Sequence, residues 1–423
     1  MPVPPGRYRV KGIYMPARKW SVDGRYHTLI PHLIGGPCSW TPGKGNGTKV
    51  PWLMGHGFGA MNDVAAGNRR AVFYHHYLEN ARNALLLDLT RPIGHDQGLK
   101  SFPSGGAAGG SSVATDGKHV WCYSTNGSPD FIHRGSTAPF GSDRAQWRSN
   151  VYVPDGPVTD MVARRDAITG KTRLYVAQAG EADTVIVLDG DTAAELGSVP
   201  VSQPRAVMVH GGRLDVLHRS DERWAVSTIG LEGGVVAGQP ERLFVLPDIG
   251  VPSDCQRDSG GHFYVAVPGA NQVYRLDAGG KVVAALGEGT EQRPGHYDPH
   301  IFMRPKKLAM WTDPDGNDRL LVLEHEGANR ISEWSPGGEL IRRWIPVQRT
   351  AVNGAVALDS ADPRSMYVLS SAGRGLIRFR INYEGGPWKI DAVWPDICRR
   401  GEIPGGRTKP FLINHSGQKY LAF

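Results

Sequence analysis

LLVLEHEGANRISEWSPGGELIRRW (320–344) holds three short strand-forming runs, LLVLE (320–324), RISEW (330–334) and ELIRRW (339–344). A GAN turn and an SPGG turn separate them. Apolar runs alternating with polar residues and bounded by Gly, Pro, Asn and Ser are the grammar of consecutive antiparallel strands. The same grammar stands upstream in HFYVAVPGANQVYRLDAGGKVVAALG (262–287), aligned nearly residue for residue.

With that template five further copies emerge: RAVFYHHYLENARNALLLDLT (70–90), HVWCYSTNGSPDFIHRGS (119–136), RLYVAQAGEADTVIVLDGDTAAELGSV (173–199), RLDVLHRSDERWAVSTIGLEGG (213–234) and MYVLSSAGRGLIRFRINYEGGPWKIDAVW (366–394). Another short strand ending in a turn precedes each copy, as in AMNDVAAG, SVATDG, DMVARRD, AVMVHGG, DCQRDSGG, KLAMWTDPDG and AVALDSADP. Four strands recurring every ~45–50 residues is the period of a β-propeller blade, a sheet that buries both faces against its neighbours.

The expected fold is therefore all-β: a β-propeller of seven complete four-stranded blades over 55–396. Residues 1–54 supply N-terminal strands and 397–423 C-terminal strands. Pairing of strands from the two termini in an eighth blade is the alternative, since closure removes exposed sheet edges. VPPGRYRVKGIY also reads like the last strand of a preceding immunoglobulin-like domain, so the chain is open to being part of a longer one.

Composition agrees. With 55 Gly and 31 Pro in 423 residues, turn-formers make up roughly a fifth of the chain, against about an eighth on average. No long apolar run predicts a membrane-spanning helix, and no apolar leader opens the chain. Cys38, Cys122, Cys255 and Cys398 are far apart and form no CxxC pair, so they read as structural thiols. The net charge of +7 is spread along the chain without basic blocks, which favours an acidic carbohydrate or other carboxylated ligand over nucleic acid. A monomer working outside the cytoplasm is expected from the architecture.

No GxSxG elbow, Walker loop, HExxH helix or GxGxxG strand–turn–helix occurs. GGAAGGSS (105–112) precedes a strand and reads as a connection between the first two units. Chemistry has to come from strand ends instead. Aligning the second strand of each unit gives one column, His75, Tyr123, Gln178, His218, Val267, Glu324 and Ser370, at the point where the strand yields to its loop. Aligning the strand before it gives another, His56, Asp160, Arg205, Asp254, Lys306 and Asn353. So many ionisable groups are costly to bury unless water or a ligand reaches them. Asp160, Arg205, His218, Asp254, Lys306, Glu324, His325 and Asn353 are the expected substrate-binding set.

In GHGFGAMNDVAAGNRRAVFYHHYLEN (55–80), hairpin geometry brings His56 towards His75 and His76. Two imidazoles with a tyrosine, Tyr123 among the candidates, make an acid–base set able to remove a proton beside a carboxylate and protonate a leaving oxygen. His296, Asp298 and His300 in GHYDPHIF (295–302) alternate along one side of an extended segment and could wrap a cation such as zinc or calcium. In a non-catalytic propeller, exposed Trp311, Trp334 and Trp344 would instead offer a binding surface.

The pattern carried by Pro305, Gly316, Val322, Asn329 and Ile331, and again by Pro252, Gly261, Val265, Asn271 and Val273, resembles the NHL repeat. That resemblance implies a propeller and admits binding scaffolds, lactone hydrolases and lyases. The 55–80 segment resembles ulvan-type polysaccharide lyases, which implies eliminative cleavage of an acidic polysaccharide with His56, His75, His76 and Tyr123 as acid and base. Resemblance to NHL-type amidoglycolate lyases implies a metal held by His56, His218 and His325.

Overall fold

A computed structural model describes residues 61–67, 70–75, 84–90, 100–102, 112–124, 131–136, 148–324, 330–344, 356–359, 361–369, 376–380, 389–394, 411–415 and 418–422. Among them are seven four-stranded antiparallel sheets, each built from strands consecutive in sequence, and one two-stranded sheet. Every repeat read from the sequence is one of these sheets. The fold is an all-β propeller; the N-terminal strands proposed for 1–54 lie outside the described residues.

The third and fifth sheets bury both faces, which is why their strands read as nearly continuous apolar runs. In the third sheet the strand Thr172–Gln178 sends Leu174 and Val176 into a core shared with Trp121, Tyr123 and Ile132 of the second sheet. Its alternate residues Tyr175 and Ala177 enter a core shared with Val207, Val216 and Ile229 of the fourth. Period-two alternation thus serves two neighbours at once. The pattern continues with Phe263 and Val265 facing Met208 and Leu217, and with Tyr264 and Ala266 facing Leu308, Val322 and Trp334. A fully buried aromatic of this kind contributes about 2–3 kcal/mol over its exposed state. Trp334 is 1% exposed and Trp311 6%, so both are core residues and neither forms an aromatic binding surface.

Turn chemistry repeats with the strands. Asp258 and Asp313 each accept a bond from the backbone three residues on, Gly261 N at 3.1 Å and Gly316 N at 3.0 Å. Both glycines hold positive φ, +88° and +86°, where a Cβ would be strained.

The first strands of six sheets form a closed ring. Met61–Gly67 packs on Val113–Thr115, then in turn come Val158–Arg165, Pro204–His210, Asp254–Arg257 and Pro305–Thr312, and the last packs back on Met61–Gly67. Arg342 of the sixth sheet donates to the Leu89 carbonyl across that closing seam. The seventh sheet begins with Val356–Asp359, which packs on Phe411–His415 of the two-stranded sheet. Its last strand, Lys389–Trp394, is tied to the loop after the fifth sheet by the Gly295 N to Val393 O bond at 2.9 Å. All seven repeats therefore fold as sheets, and six of them enclose the channel.

Candidate functional site

The inner edge of each first strand faces the channel and has no strand to pair with, so its N–H groups need other acceptors. Aspartates supply them in a two-sheet rhythm. Asp63 Oδ2 in the first sheet accepts Val113 N of the second at 2.7 Å, Asp160 Oδ2 in the third accepts Val207 N of the fourth at 2.9 Å, and Asp254 Oδ2 in the fifth accepts Leu308 N of the sixth at 2.6 Å. Each even sheet carries Ser112, Ala206 or Lys307 just before the residue so held. Lys307 reaches across the ring, its Nζ 3.0 Å from Asp160 Oδ1 and 3.1 Å from the Thr159 carbonyl.

Three carboxyls and one ammonium thus share a dry core. Burial pushes Asp63 up to about 6, with Lys307 pulling the other way and Asp160 adding to the rise. Burial likewise raises Asp254 well above the usual carboxylate range, against the pull of Lys307. Burial opposes the charge on Lys307, but Asp160, Asp63 and Asp254 outweigh it and hold the ammonium ionised. Because the folded pKa of Asp63 lies above its unfolded one, its ionisation costs nothing at acid pH and destabilises as pH rises through about 6. Relative to Asp63→Asn, the wild type is therefore expected to lose stability, on the order of 2 kcal/mol, between about pH 4 and pH 7. Urea unfolding across that range measures it, and parallel curves for the two proteins would contradict the assignment.

Below this cluster, towards the far ends of the first strands, lies a cavity of about 340 Å3 to which all six strands contribute. Thr115, Asp160, Arg164, His210, Gln256, Arg257, Thr312 and Asp318 are its polar lining. Most of that charge is spent. Asp160 binds Lys307, Arg257 Nη1 binds Asp215 at 2.6 Å, and Asp318 accepts from Ser259 N at 2.7 Å and Thr312 Oγ1 at 3.3 Å.

The expected site residues divide around this frame. The second-strand column keeps the register expected of it. His75 pairs opposite Met61, Gln178 opposite Val158, His218 opposite Pro204 and Glu324 opposite Pro305, all at the end of the channel away from the cavity. The side chains of this column are mostly enclosed. Tyr123 is 2% exposed, so no ligand reaches it as placed. His218 is buried, with Nε2 2.8 Å from Ser227 Oγ, and burial lowers its pKa.

Glu324 closes the second strand of the sixth sheet. It is a structural corner, wholly buried, with one carboxylate oxygen on Arg330 Nε and the other accepting Met303 N at 2.7 Å. Arg330, also buried, donates to Tyr297 Oη at 2.6 Å and to the Ile301 carbonyl at 2.9 Å. Burial raises Glu324's pKa and Arg330 opposes it. A carboxylate so occupied is not open to substrate.

The first-strand column needs a correction of one residue. Asp160 and Asp254 do belong to the channel, but Arg205 and Lys306 fall at bulges, between Pro204 and Ala206 and between Pro305 and Lys307. Thr159 holds the same bulge place in the third sheet, so the true column runs through Asp160, Ala206, Asp254 and Lys307. Arg205 is exposed and lies over the Trp224 ring, 5.3 Å from its centroid. Lys306 is half-buried, with its pKa lowered by burial and by Lys307. The two residues missed are Asp63 and Lys307. A signal existed for the first, because NDV, TDM and SDC open alternate first strands with a small polar residue, Asp and an apolar residue.

His56, His76, His325 and Asn353 lie outside the described residues, so the proposed metal set of His56, His218 and His325 is described only at His218. In the 295–302 segment the Asp298 carboxylate accepts His300 N at 2.8 Å, while the His300 ring packs edge-on against Trp334. Among the described residues no group of three or more His, Cys, Asp or Glu is placed to hold a metal ion. Cys122 and Cys255 are buried free thiols. No described helix is long and apolar enough to cross a membrane.

No protein-family model matches the chain, and no curated protein matches it. Among solved structures, a nidogen/laminin complex is similar at TM-score 0.46 and 14% identity, over 63% of this chain and 92% of that one. A calcium-binding protein, regucalcin, from Agrobacterium tumefaciens strain C58 is similar at TM-score 0.42 and 16% identity, over 76% of this chain and 98% of that one. A gluconolactonase from Xanthomonas campestris is similar at TM-score 0.40 and 13% identity, over 64% and 85%. Likenesses this distant say nothing about what this chain binds or catalyses.

Proposed function

We propose that the protein binds a hydroxyl-rich small molecule of carbohydrate type on the channel axis. The observation that carries this reading is the cavity of about 340 Å3 that all six first strands line. Small-molecule sites span ~300–1,000 Å3, so the space suits one or two sugar rings. The buried Asp–Lys cluster stands at its inner end, so the ligand is a short molecule or a chain end, and no polymer threads through. Strand edges offer backbone donors and acceptors to hydroxyls, Gln256 adds a side-chain partner, and Thr312 Oγ1, which donates to Asp318, can still accept. Saturation-transfer NMR with a panel of neutral and acidic mono- and disaccharides tests this. Ala66→Phe, at a half-buried lining position, is expected to abolish the signal by filling the cavity. Failure of every sugar to bind, or binding that Ala66→Phe leaves intact, would sink the reading.

A second reading is eliminative cleavage of an acidic polysaccharide by His56, His75 and His76 with a tyrosine. One observation favours it: His75 ends its strand opposite Met61, beside the start of the channel. The expected result is a rise in ultraviolet absorbance from unsaturated product on a uronate polymer, lost in His75→Ala. No rise on any such polymer would remove it.

A further inference from the structure

We propose that the cavity selects a ligand bearing a carboxylate, which is held at the cavity's outer rim by Arg164 and His210. The inference rests on the reading of this cavity as a sugar site and adds the ligand's charge and its orientation.

Arg164 and His210 stand at equivalent positions on neighbouring first strands. Asp160 pairs opposite Ala177 and Ala206 opposite Leu217, so the two strands share a level there; four residues on, Arg164 pairs opposite Arg173 and His210 opposite Arg213. Both residues line the cavity. Arg164 is exposed, and among the described residues neither its side chain nor that of His210 makes a hydrogen bond or ion pair, their pairing being through the backbone. Every other charged group in the lining is engaged: Asp160 by Lys307, Arg257 by Asp215, Asp318 by Ser259 and Thr312. The unspent charge of the cavity is therefore positive and lies at one end.

A guanidinium offers two parallel N–H donors to a carboxylate, and an adjacent imidazole N–H can donate a third. At the inner end Asp160 is paired with Lys307 and burial favours the neutral forms of Asp63 and Asp254, so the open positive charge at the rim sets the polarity of binding. The ligand's carboxylate faces Arg164, and its hydroxyls point inward to Gln256 and the strand edges. The fitting class is a uronate: a sugar ring with one carboxylate, free or at a chain end.

The experiment is calorimetric titration of the full chain with matched pairs, D-glucuronate against D-glucose and D-galacturonate against D-galactose. At least one uronate is expected to bind about tenfold or more tightly than its neutral partner. Arg164→Ala should reduce that uronate to its neutral partner's affinity, and Arg164→Lys should recover part of the loss. Because Arg164 is exposed and unpartnered, an unchanged melting temperature separates lost binding from lost folding. Equal affinity for both members of each pair overturns the carboxylate inference and leaves the sugar reading standing. A uronate preference untouched by both Arg164→Ala and His210→Ala overturns the assignment to this rim. No binding by any of the four sugars overturns both.

Discussion

Lys307→Met is expected to lower the free energy of unfolding by about 3–5 kcal/mol at neutral pH, the scale seen when one partner of a buried ion pair is removed. Methionine keeps the length and volume of the stem, so the loss is that of the charge. Asp160 loses its partner at 3.0 Å, and Asp63 and Asp254 lose the one cation that opposes their burial. Asp63 and Asp254 then have still higher folded pKa values. A raised carboxyl pKa costs nothing at acid pH and costs more as pH rises through it, so the deficit of the variant should shrink on acidification below about pH 6. Urea unfolding in acid and neutral buffers reads both features. A deficit under about 1 kcal/mol, or one indifferent to pH, would mean that the ammonium is not what balances the cluster.

Arg330→Met should cost a similar amount, about 3–5 kcal/mol, by stranding Glu324 in a site with no exposed surface. The guanidinium ties three parts of the loop and corner together, Glu324, Tyr297 and the Ile301 carbonyl. Its loss removes the ties to Tyr297 and the Ile301 carbonyl and leaves the carboxylate with an uncompensated burial cost. The double variant Glu324→Gln with Arg330→Met removes the stranded charge and is expected to be more stable than Arg330→Met alone. If the double variant is the less stable of the two, the pair is not acting as a charge pair.

Strand grammar made the sheets legible because a blade between two neighbours buries both faces and must repeat the same alternation and turns; Gly261 and Gly316 mark equivalent turns in two copies. Membership of the ring was not legible. The seventh repeat carries the same local signals as the other six, and which sheet abuts the first depends on long-range packing that no single blade encodes. The second-strand column through His218 and Glu324 kept its register because those strands run without a break. The first-strand column slipped at Arg205 and Lys306 because Ala206 carries no charge to mark the place of Asp160, and Lys306 and Lys307 read alike in sequence. Glu324 looked like a site for want of its partner: Arg330 stands six residues on, across a turn, and only the fold shows that both are buried together. Arg164 and His210 passed unnoticed for the opposite reason, since charged residues at strand ends are ordinary until their neighbours' charges are seen to be engaged.

The most direct test of the account is a crystal structure of the full chain soaked with D-glucuronate. One sugar ring is expected in the channel cavity, its carboxylate within hydrogen-bonding distance of Arg164 and its hydroxyls towards Gln256. A ring bound at the opposite end of the channel, beside His75 and His218, with the cavity empty, would contradict it.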